Sequence, residues 1–261
     1  MIKKSSKLYH NPNTTNKYTK MGAFEEAVSS KKIKNVSYFT HQLRWMKSKS
    51  ELQLMRESAS IACQALLQTM LISKMHPQES SLAATFEYES KMRGAQRMAF
   101  NPVVGSGPNA SVIHYSRNDS KINHGELVLM DVGCELHGYA SDLTRTWPIT
   151  GHFSAAQEEL YELILETNKK CITLCKSGAD IRQIHSISDK MLRKGLKHLG
   201  ILNDEESELY NKLNPTSIGH YLGMDVHDCS LVSYNNSLKP GVVLTIEPGI
   251  YIPSNFECPE R

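Results

Sequence analysis

The sequence predicts an α+β fold, in which helices lie between and around short buried strands rather than in a regular βαβ alternation. Two observations lead to this prediction. Segments 125–133 and 241–249 each run from a glycine through an apolar stretch to a carboxylate, and glycine follows two residues later. Patterns typical of helix N-termini stand outside these segments, at Ser48, Ser154 and Asp180. The repeated strand pattern also predicts a pseudo-two-fold relation between the two acidic strand ends.

Helix starts can be read directly from the sequence at three places. Ser48 is followed three residues later by Glu51, which is a capping-box pattern, and apolar positions at helical spacing continue as far as Met70. A second helix is expected over residues 154–176, with a glycine beyond its end, and a third over residues 180–200. These helices are expected to cover the strands that carry the acidic residues.

The first acidic segment predicts a β-hairpin that carries two aspartates. Asp131 is followed eleven residues later by Asp142, and the polar residues between them include two glycines, as expected of a turn. In an antiparallel pair with an even-length loop, both side chains lie on the same face. Two carboxylates this close would repel each other unless one is protonated or a divalent cation lies between them. The alternative is a solvated acidic hairpin, which the apolar run 127–132 argues against.

A second cluster lies at residues 219–228, where glycines argue against a regular helix. It contains two histidines seven residues apart, of which His220 is the first. Imidazole is the commonest metal-binding side chain in proteins, although either histidine taken alone also fits a structural role. Together with Asp131, Asp142 and Glu247, His220 completes an oxygen-rich set that suits Mn, Co or Zn in a two-metal hydrolytic centre.

Five motifs in a fixed order carry a resemblance to a known family. They are residues 109–116, 130–133, 141–146, 219–228 and 246–251. From about Leu43 to its last residue, the chain resembles the pita-bread metallopeptidases of family M24. Within this family it is most similar to the aminopeptidase P branch, in particular the mitochondrial group of Xaa-Pro aminopeptidases and plant intermediate-cleaving peptidases. The resemblance implies the pita-bread (creatinase/aminopeptidase) fold, with a pseudo-two-fold repeat.

The same resemblance implies a dinuclear metal centre. Asp131, Asp142, His220 and Glu247 would be ligands of two divalent metal ions, with manganese as the expected metal. A hydroxide that bridges the two ions would attack the peptide bond, because bound cations lower the pKa of water. Glu247 would also act catalytically by relaying a proton from this water to the leaving nitrogen.

Further residues are expected to line the site. The resemblance implies that His114 and His227 are catalytic and substrate-binding residues, which hold the substrate carbonyl and stabilise the developing charge. Tyr251 follows Glu247 by four residues. On a continuous strand it would therefore lie on the same face, where the family places part of its substrate pocket.

The function that follows from the resemblance is that of a metallo-aminopeptidase, a hydrolase that acts in protein processing. It would remove the amino-terminal residue from peptides or from imported mitochondrial precursor proteins. The alternatives are a non-catalytic homologue that binds peptide or protein amino termini, and an incomplete, unstable product. Both alternatives arise because the family places a fifth ligand, a glutamate, shortly beyond the motif that here reads 258–261. Weak metal retention and impaired activity are therefore expected, with a fold incomplete at its C-terminal strands.

Two regions are predicted along the chain. Residues 1–42 are expected to be a partly disordered remnant of an amino-terminal region, and residues 43–261 the catalytic domain, truncated at its C-terminus. The first 24 residues contain several lysines and no acidic residue. This composition resembles an organelle transit peptide, but it fits a disordered basic tail equally well. The family resemblance implies a mitochondrial location, and otherwise a soluble intracellular one.

Composition excludes several other functions. The formal net charge is only +3, which argues against a nucleic-acid-binding surface, and no apolar run approaches the length of a membrane span. A hydrophobic content of 40% with 22% charged residues is ordinary for a globular enzyme. The six cysteines lack zinc-finger spacing and are expected to be reduced thiols of an intracellular protein. A homodimer is expected from the resemblance.

Overall fold

The computed structural model describes residues 7–11, 22–30 and 33–257, and it contains both helices and short strands, grouped along the chain rather than alternating. The helices are α1 (Gly22–Ser29), α2 (Ser37–Trp45), α3 (Lys49–Ile72), α4 (Glu79–Met92), α5 (Ala155–Leu174), α6 (Ile181–His198) and α7 (Leu209–Leu213). The strands are β1 (Leu8–His10), β2 (Ile33–Asn35), β3 (Arg97–Met98), β4 (Val103–Ser106), β5 (Leu127–Val132), β6 (Cys134–Leu136), β7 (Tyr139–Ala140) and β8 (Leu143–Pro148). The mixed content confirms the predicted α+β class.

The three helix starts read from the sequence are confirmed. The hydroxyl of Ser48 accepts from the backbone N–H of Glu51 and the Glu51 carboxylate accepts from the N–H of Ser48, so α3 begins with a complete capping box. Ser154 begins α5 in the same way, and the Asp180 carboxylate caps α6. Helix α5 ends at residue 174 and α6 at residue 198, slightly before the predicted ends. Helix ends fray and are less sharply encoded than capped starts.

The main sheet is three-stranded and antiparallel, in the order β4-β5-β8. Helices α3 and α4 contribute to the hydrophobic cluster that covers it, in which Leu66 and Phe86 pack with Met130 and Trp147. Alternate residues of β5 point into this cluster, and the residues between them, Asp131 included, are only partly buried. Burial of one face of β5 therefore fixes which way the acidic side chain points.

A single hairpin register runs through β5, β6, β7 and β8. Asp131 pairs with Thr144 in the main sheet, and beyond the interruption between β5 and β6 the pairing continues with Glu135 opposite Ala140. The chain reverses at residues 137–138, which both adopt positive φ angles, of 49° and 83°. Positive φ at both positions is the requirement of a tight two-residue hairpin turn. The hairpin predicted between Asp131 and Asp142 is confirmed.

The second acidic segment, 241–249, differs from the prediction because it forms no regular strand. It pairs with residues 218–222 through one isolated bridge, Tyr221 with Leu244, and through main-chain hydrogen bonds such as Thr245 N–H to His220 O at 2.9 Å. In a regular antiparallel pair the N–H of His220 would donate to the carbonyl of Thr245, but here it donates to the Thr245 hydroxyl at 3.0 Å. A side chain thus replaces a carbonyl in the ladder, and regular pairing is interrupted beside His220.

Helix α2 packs against this second half of the chain. Trp45 is buried in a cluster with Ile184 and Tyr221, and its ring meets the Tyr221 ring edge-on with centroids 5.8 Å apart. The N–H of Lys47 donates to Gly241 O at 2.8 Å. The predicted division between residues 42 and 43 falls inside α2, and the two-region organisation stays a prediction.

Some sequence predictions concern residues outside the described ranges. These are most of the basic amino-terminal segment, at 1–6, 12–21 and 31–32, and the motif at 258–261. In the part of the chain that the structure describes, no helix combines the length and the apolar character needed to cross a membrane.

Candidate metal centre

Asp131 and Asp142 lie on the same side of the hairpin. Asp131 is opposite Thr144, and Asp142 precedes Thr144 by two residues. Because side chains two residues apart share a face, the two carboxylates are diagonal neighbours. The Oδ1 atom of Asp131 is buried and has no hydrogen-bond partner among the described residues. A buried carboxylate oxygen normally has a partner, so this atom marks a place where a cation or a donor is required.

A glycine and a hydroxyl side chain hold the hairpin at this point. A Cβ atom at Gly133 would lie 1.8 Å from the carbonyl oxygen of Ser141, so only glycine permits this backbone approach. The next N–H, that of Cys134, donates to the hydroxyl of Ser141 at 3.0 Å. Asp142 follows Ser141 directly, and its position therefore depends on this contact.

The same arrangement occurs in the second half. A Cβ atom at Gly219 would lie 2.1 Å from the carbonyl oxygen of Thr245, and the next N–H, that of His220, donates to the Thr245 hydroxyl at 3.0 Å. Glu247 follows Thr245 by two residues, and its N–H donates to the carbonyl of Ile218 at 2.8 Å. A glycine followed by a hydroxyl-bound N–H thus positions an acidic residue twice in the chain.

The imidazole of His220 joins the two halves. Its Nε2 atom lies 3.3 Å from Oδ2 of Asp142 and 3.2 Å from Oε1 of Glu247. Its Nδ1 atom is 3.1 Å from the carbonyl oxygen of Tyr221, which orients the ring. The side chains of His220 and Asp142 are 13% and 10% exposed, so the contact is largely shielded from water.

The pKa values of the cluster are shifted because three acidic side chains lie close together. Burial raises the pKa of Asp131, and the charges of Asp142 and Glu247 raise it further, to about 7. Burial alone would lower the pKa of His220, but hydrogen bonds to Asp142 and Glu247 outweigh it and raise the pKa to about 10. Burial acts to raise the pKa of Glu247, yet the hydrogen bonds from His220 and Thr245 leave that pKa below its ordinary value. The protonated imidazole thus partly neutralises the acids.

These side chains fit a metal centre in type, and the pairwise contacts of His220 also fit one in spacing. Within residues 7–11, 22–30 and 33–257, no group of three acidic, histidine or cysteine side chains is placed to hold a metal ion as the side chains stand, and the His220 ring contacts two of the carboxylates directly. Two ligands of one ion, each at about 2.1 Å and about 100° apart, are roughly 3.2 Å from each other. The contacts of His220 have this spacing. The partnerless oxygen of Asp131 supplies a further donor.

The other predicted site residues lie around this cluster. The ring of His227 is 4.3 Å from that of His220, centroid to centroid, and burial followed by the charge of His220 lowers the pKa of His227. Burial raises the pKa of Tyr251 to about 12, and the charges of Asp131 and Glu247 add to the effect. Tyr251 is therefore close to the acids, although segment 247–251 is not the continuous strand expected from the sequence.

His114 lies on an exposed loop after β4 and is within electrostatic reach of His227, because its charge also lowers the pKa of His227. Its backbone φ is 54°, in the left-handed region that few residues other than glycine adopt. Among the described residues, its side chain makes no hydrogen bond to the cluster.

Sequence reasoning missed the residues that hold the loop of His227. Asp228, the next residue, is 3% exposed and pairs with Lys47 at 3.2 Å and with Arg44. Lys47 and Arg44 come from the segment at the end of α2, 181 and 184 residues earlier in the chain. A local pattern carries no signal of such a contact. Thr245 and Ser141 could have been found, because each stands one or two residues before an acidic ligand candidate.

Comparison with known proteins agrees with this geometry. The sequence pattern of Metallopeptidase family M24 matches residues 53–258. The chain is 62% identical over 262 residues to the Arabidopsis thaliana protein named "Intermediate cleaving peptidase 55, mitochondrial", covering all of this chain and 53% of that protein. The chain thus spans about half the length of the curated relatives it matches.

Solved structures show the same fold. Icp55 from Saccharomyces cerevisiae superimposes with a TM-score of 0.82 and 38% identity, over 90% of this chain and 59% of that one. Aminopeptidase P from Escherichia coli superimposes with a TM-score of 0.89 and 30% identity, over 97% of this chain and 62% of that one. The predicted pita-bread fold is confirmed.

Proposed function

The chain belongs to metallopeptidase family M24, and on this basis we propose that it is a metallo-aminopeptidase. It would hydrolyse the amino-terminal peptide bond of peptides or of processed mitochondrial precursor proteins. The observation that carries the proposal is the meeting of His220 with Asp142 and Glu247, at 3.3 and 3.2 Å, beside the partnerless buried oxygen of Asp131.

The members of this family are metallopeptidases, so metal ions are the cofactors to be expected. We propose that Asp131, Asp142, His220 and Glu247 hold two divalent ions, with manganese as the metal, because three carboxylates and one imidazole form a hard, oxygen-rich ligand set. Bound divalent ions lower the pKa of water, which makes it a nucleophile at neutral pH.

Glu247 is the proposed general base. Its pKa lies below the ordinary value, so it is ionised at neutral pH and can accept a proton. The hydroxyl of Thr245 donates to Oε1 of Glu247 at 2.7 Å and holds that oxygen in place. The other oxygen is then available to take a proton from the attacking water and to pass it to the leaving nitrogen.

The histidines are proposed to stabilise charge on the substrate. The lowered pKa of His227 keeps its imidazole neutral at pH 7, so it offers one N–H as a hydrogen-bond donor. That donor is suited to the oxyanion that develops on the substrate carbonyl. His114 is proposed to contact the substrate from its exposed loop, and Tyr251 to line the pocket beside the acids.

Location and assembly are part of the proposal. The Arabidopsis relative is described as mitochondrial, and we propose the same location for this chain. Fractionation of cells that express a tagged full-length protein would test it, and a tag confined to the cytosol would contradict it. We also propose a homodimer, which light scattering on the purified protein would test directly.

The test of the function combines turnover with metal content. The purified chain, supplied with excess manganese to offset the weak metal retention expected from the sequence, is expected to release the first residue of an internally quenched peptide that has proline at its second position, at a reduced rate. Asp142→Ala is expected to abolish turnover and to lower bound metal by tenfold or more, while the protein stays soluble, because a lost ligand leaves neighbouring charges unbalanced.

Two outcomes would contradict this proposal. Metal content unchanged in Asp142→Ala would mean that the hairpin acids are structural. Peptide binding without turnover in the wild-type chain would favour the non-catalytic, peptide-binding alternative. The matched control is Glu87→Ala, which removes a carboxylate that pairs with Lys91 on the protein surface and is expected to change neither readout.

A further inference from the structure

Glu79 is a buried carboxylate that the proposed reaction does not use. It is 0% exposed and is the first residue of α4, where the helix dipole favours a negative charge. A carboxylate removed from water is stable only if its oxygens accept enough hydrogen bonds. Glu79 accepts five.

The five donors come from both sides of one loop. Oε1 accepts from the N–H and the hydroxyl of Ser106, each at 2.9 Å, and from the side-chain amide of Asn109 at 3.0 Å. Oε2 accepts from the hydroxyl of Tyr115 and from the N–H of Ser120, each at 3.0 Å. We name residues 107–120 the His114 loop. The Glu79 carboxylate therefore binds residues at both ends of this loop.

The backbone at His114 needs such a clamp. Its φ of 54° is costly for a residue with a side chain, and such strain persists only where the surroundings over-determine the conformation. The adjacent residue, Tyr115, is 8% exposed and its hydroxyl is bound to Glu79. The loop is thus fixed on its buried side, while the His114 side chain remains exposed.

We infer that Glu79 is a positioning residue, which holds His114 at the substrate side of the metal centre through the His114 loop. This inference rests on the proposed function of His114. Glu79 itself contacts neither the predicted ligands nor His114. Its effect on turnover should therefore pass through His114 alone, and metal binding should not depend on it.

The decisive experiment is a double-mutant cycle on the full chain. Glu79→Gln keeps the volume but replaces one acceptor oxygen by a donor, which faces the N–H of Ser120 or the donors at Oε1. Glu79→Gln is expected to lower kcat/KM for the quenched proline peptide about tenfold at unchanged metal content. In the His114→Ala background, Glu79→Gln is expected to lower kcat/KM by less than about twofold.

Glu51→Gln is the matched control. Glu51 also lies in the first turn of a helix and accepts from a backbone N–H and from a tyrosine hydroxyl, that of Tyr139, but it has no contact with the His114 loop. Its kinetics are expected to match the wild type. If Glu79→Gln does not fold, Tyr115→Phe replaces it in the cycle, because this variant removes only one donor to Glu79.

Amide hydrogen exchange gives a readout that does not need turnover. The N–H of Ser106 or that of Ser120, whichever faces the new amide nitrogen, is expected to exchange about tenfold or more faster in Glu79→Gln, because it loses its acceptor. Unchanged exchange at both positions, or a loss of kcat/KM in the cycle that is fully additive, would overturn the inference alone. Wild-type protein without turnover, or His114→Ala with wild-type turnover, would overturn the proposed role of His114 and this inference with it.

Discussion

The hydroxyl of Thr245 makes two hydrogen bonds that matter for the candidate centre. It accepts from the N–H of His220 at 3.0 Å and donates to Oε1 of Glu247 at 2.7 Å. A hydroxyl has one proton, and the competing acceptor, the carbonyl of His220, lies farther away at 3.5 Å. The proton is therefore directed to the carboxylate. One side chain thus sets the relative positions of two proposed ligands.

Removing this hydroxyl is expected to weaken metal binding. Thr245→Val keeps the shape of the side chain but leaves the His220 N–H without its acceptor and Glu247 without a donor. Affinity for manganese is expected to fall roughly tenfold, as is typical for residues that orient ligands. Calorimetric titration of metal-free protein measures it. Thr245→Ser keeps the hydroxyl and should retain the wild-type affinity, whereas equal losses in both variants would contradict the role of the hydroxyl.

At the scale of the elements, two contacts bring paired segments close together: Gly133 lies against Ser141, and Gly219 lies against Thr245. At Gly133 and at Gly219 the opposing atom is a backbone carbonyl oxygen, which cannot rotate away as a side chain can. Both glycines are buried. Each contact sits beside a proposed ligand, so the backbone geometry of the elements and the geometry of the centre are coupled.

Gly219→Ala is therefore expected to be strongly destabilising. The added Cβ would lie 2.1 Å from the carbonyl oxygen of Thr245, so the paired segments must separate. The free energy of unfolding is expected to fall by about 2 kcal/mol or more, measured by urea denaturation. Gly22→Ala is the control, since a Cβ there meets nothing within 4 Å. An equal free energy of unfolding in the two variants would contradict this expectation, because it would mean that the segments around Gly219 and Thr245 can separate without loss of stability.

For the whole molecule, the site unites parts of the chain that are far apart in sequence. Asp131 lies in the sheet covered by α3 and α4 and Asp142 directly precedes its strand β8, whereas His220 and Glu247 belong to the half that packs on α2 and α6. The buried pair of Lys47 and Asp228 joins the end of α2 to the loop of His227. Charges from both halves meet in the candidate centre, so its ionisation affects the stability of the entire fold.

Without metal, the protein is expected to lose stability as pH rises. The folded-state pKa of His220, about 10, exceeds its ordinary 6.5, so its contribution is complete below pH 6.5 and is lost as pH rises through 10. Asp131, at about 7 against an ordinary 3.8, loses its bound proton in the folded state as pH rises through 7. The Tm of chelator-treated protein is therefore expected to fall between about pH 5.5 and pH 9.

The control for this pH dependence is His220→Gln, which removes the titrating imidazole and should flatten the decline at the alkaline end. A Tm that rises steadily over the same range would contradict the assigned ionisation. Added manganese is expected to reverse the trend, because ligands bind metal in their deprotonated forms and affinity grows with pH.

Local features of the fold could be predicted from the sequence because short-range chemistry determines them. A capping box needs residues only three positions apart, as at Ser48 and Ser154, and the turn at residues 137–138 follows from its own backbone requirements. The residue types of the candidate centre could also be named, since few side chains bind hard cations. The irregular pairing of 241–249 could not be predicted, because it depends on a hydroxyl that replaces a carbonyl.

The sequence by itself determined the fold class, the capped helices and the set of acids and histidines. Only the tertiary structure decided which distant groups hold that set in place. Glu79 meets Ser120 across 41 residues, and Lys47 meets Asp228 across 181. The physical reason is burial: a charge removed from water must find its partners wherever packing brings them, and no spacing along the chain encodes that position.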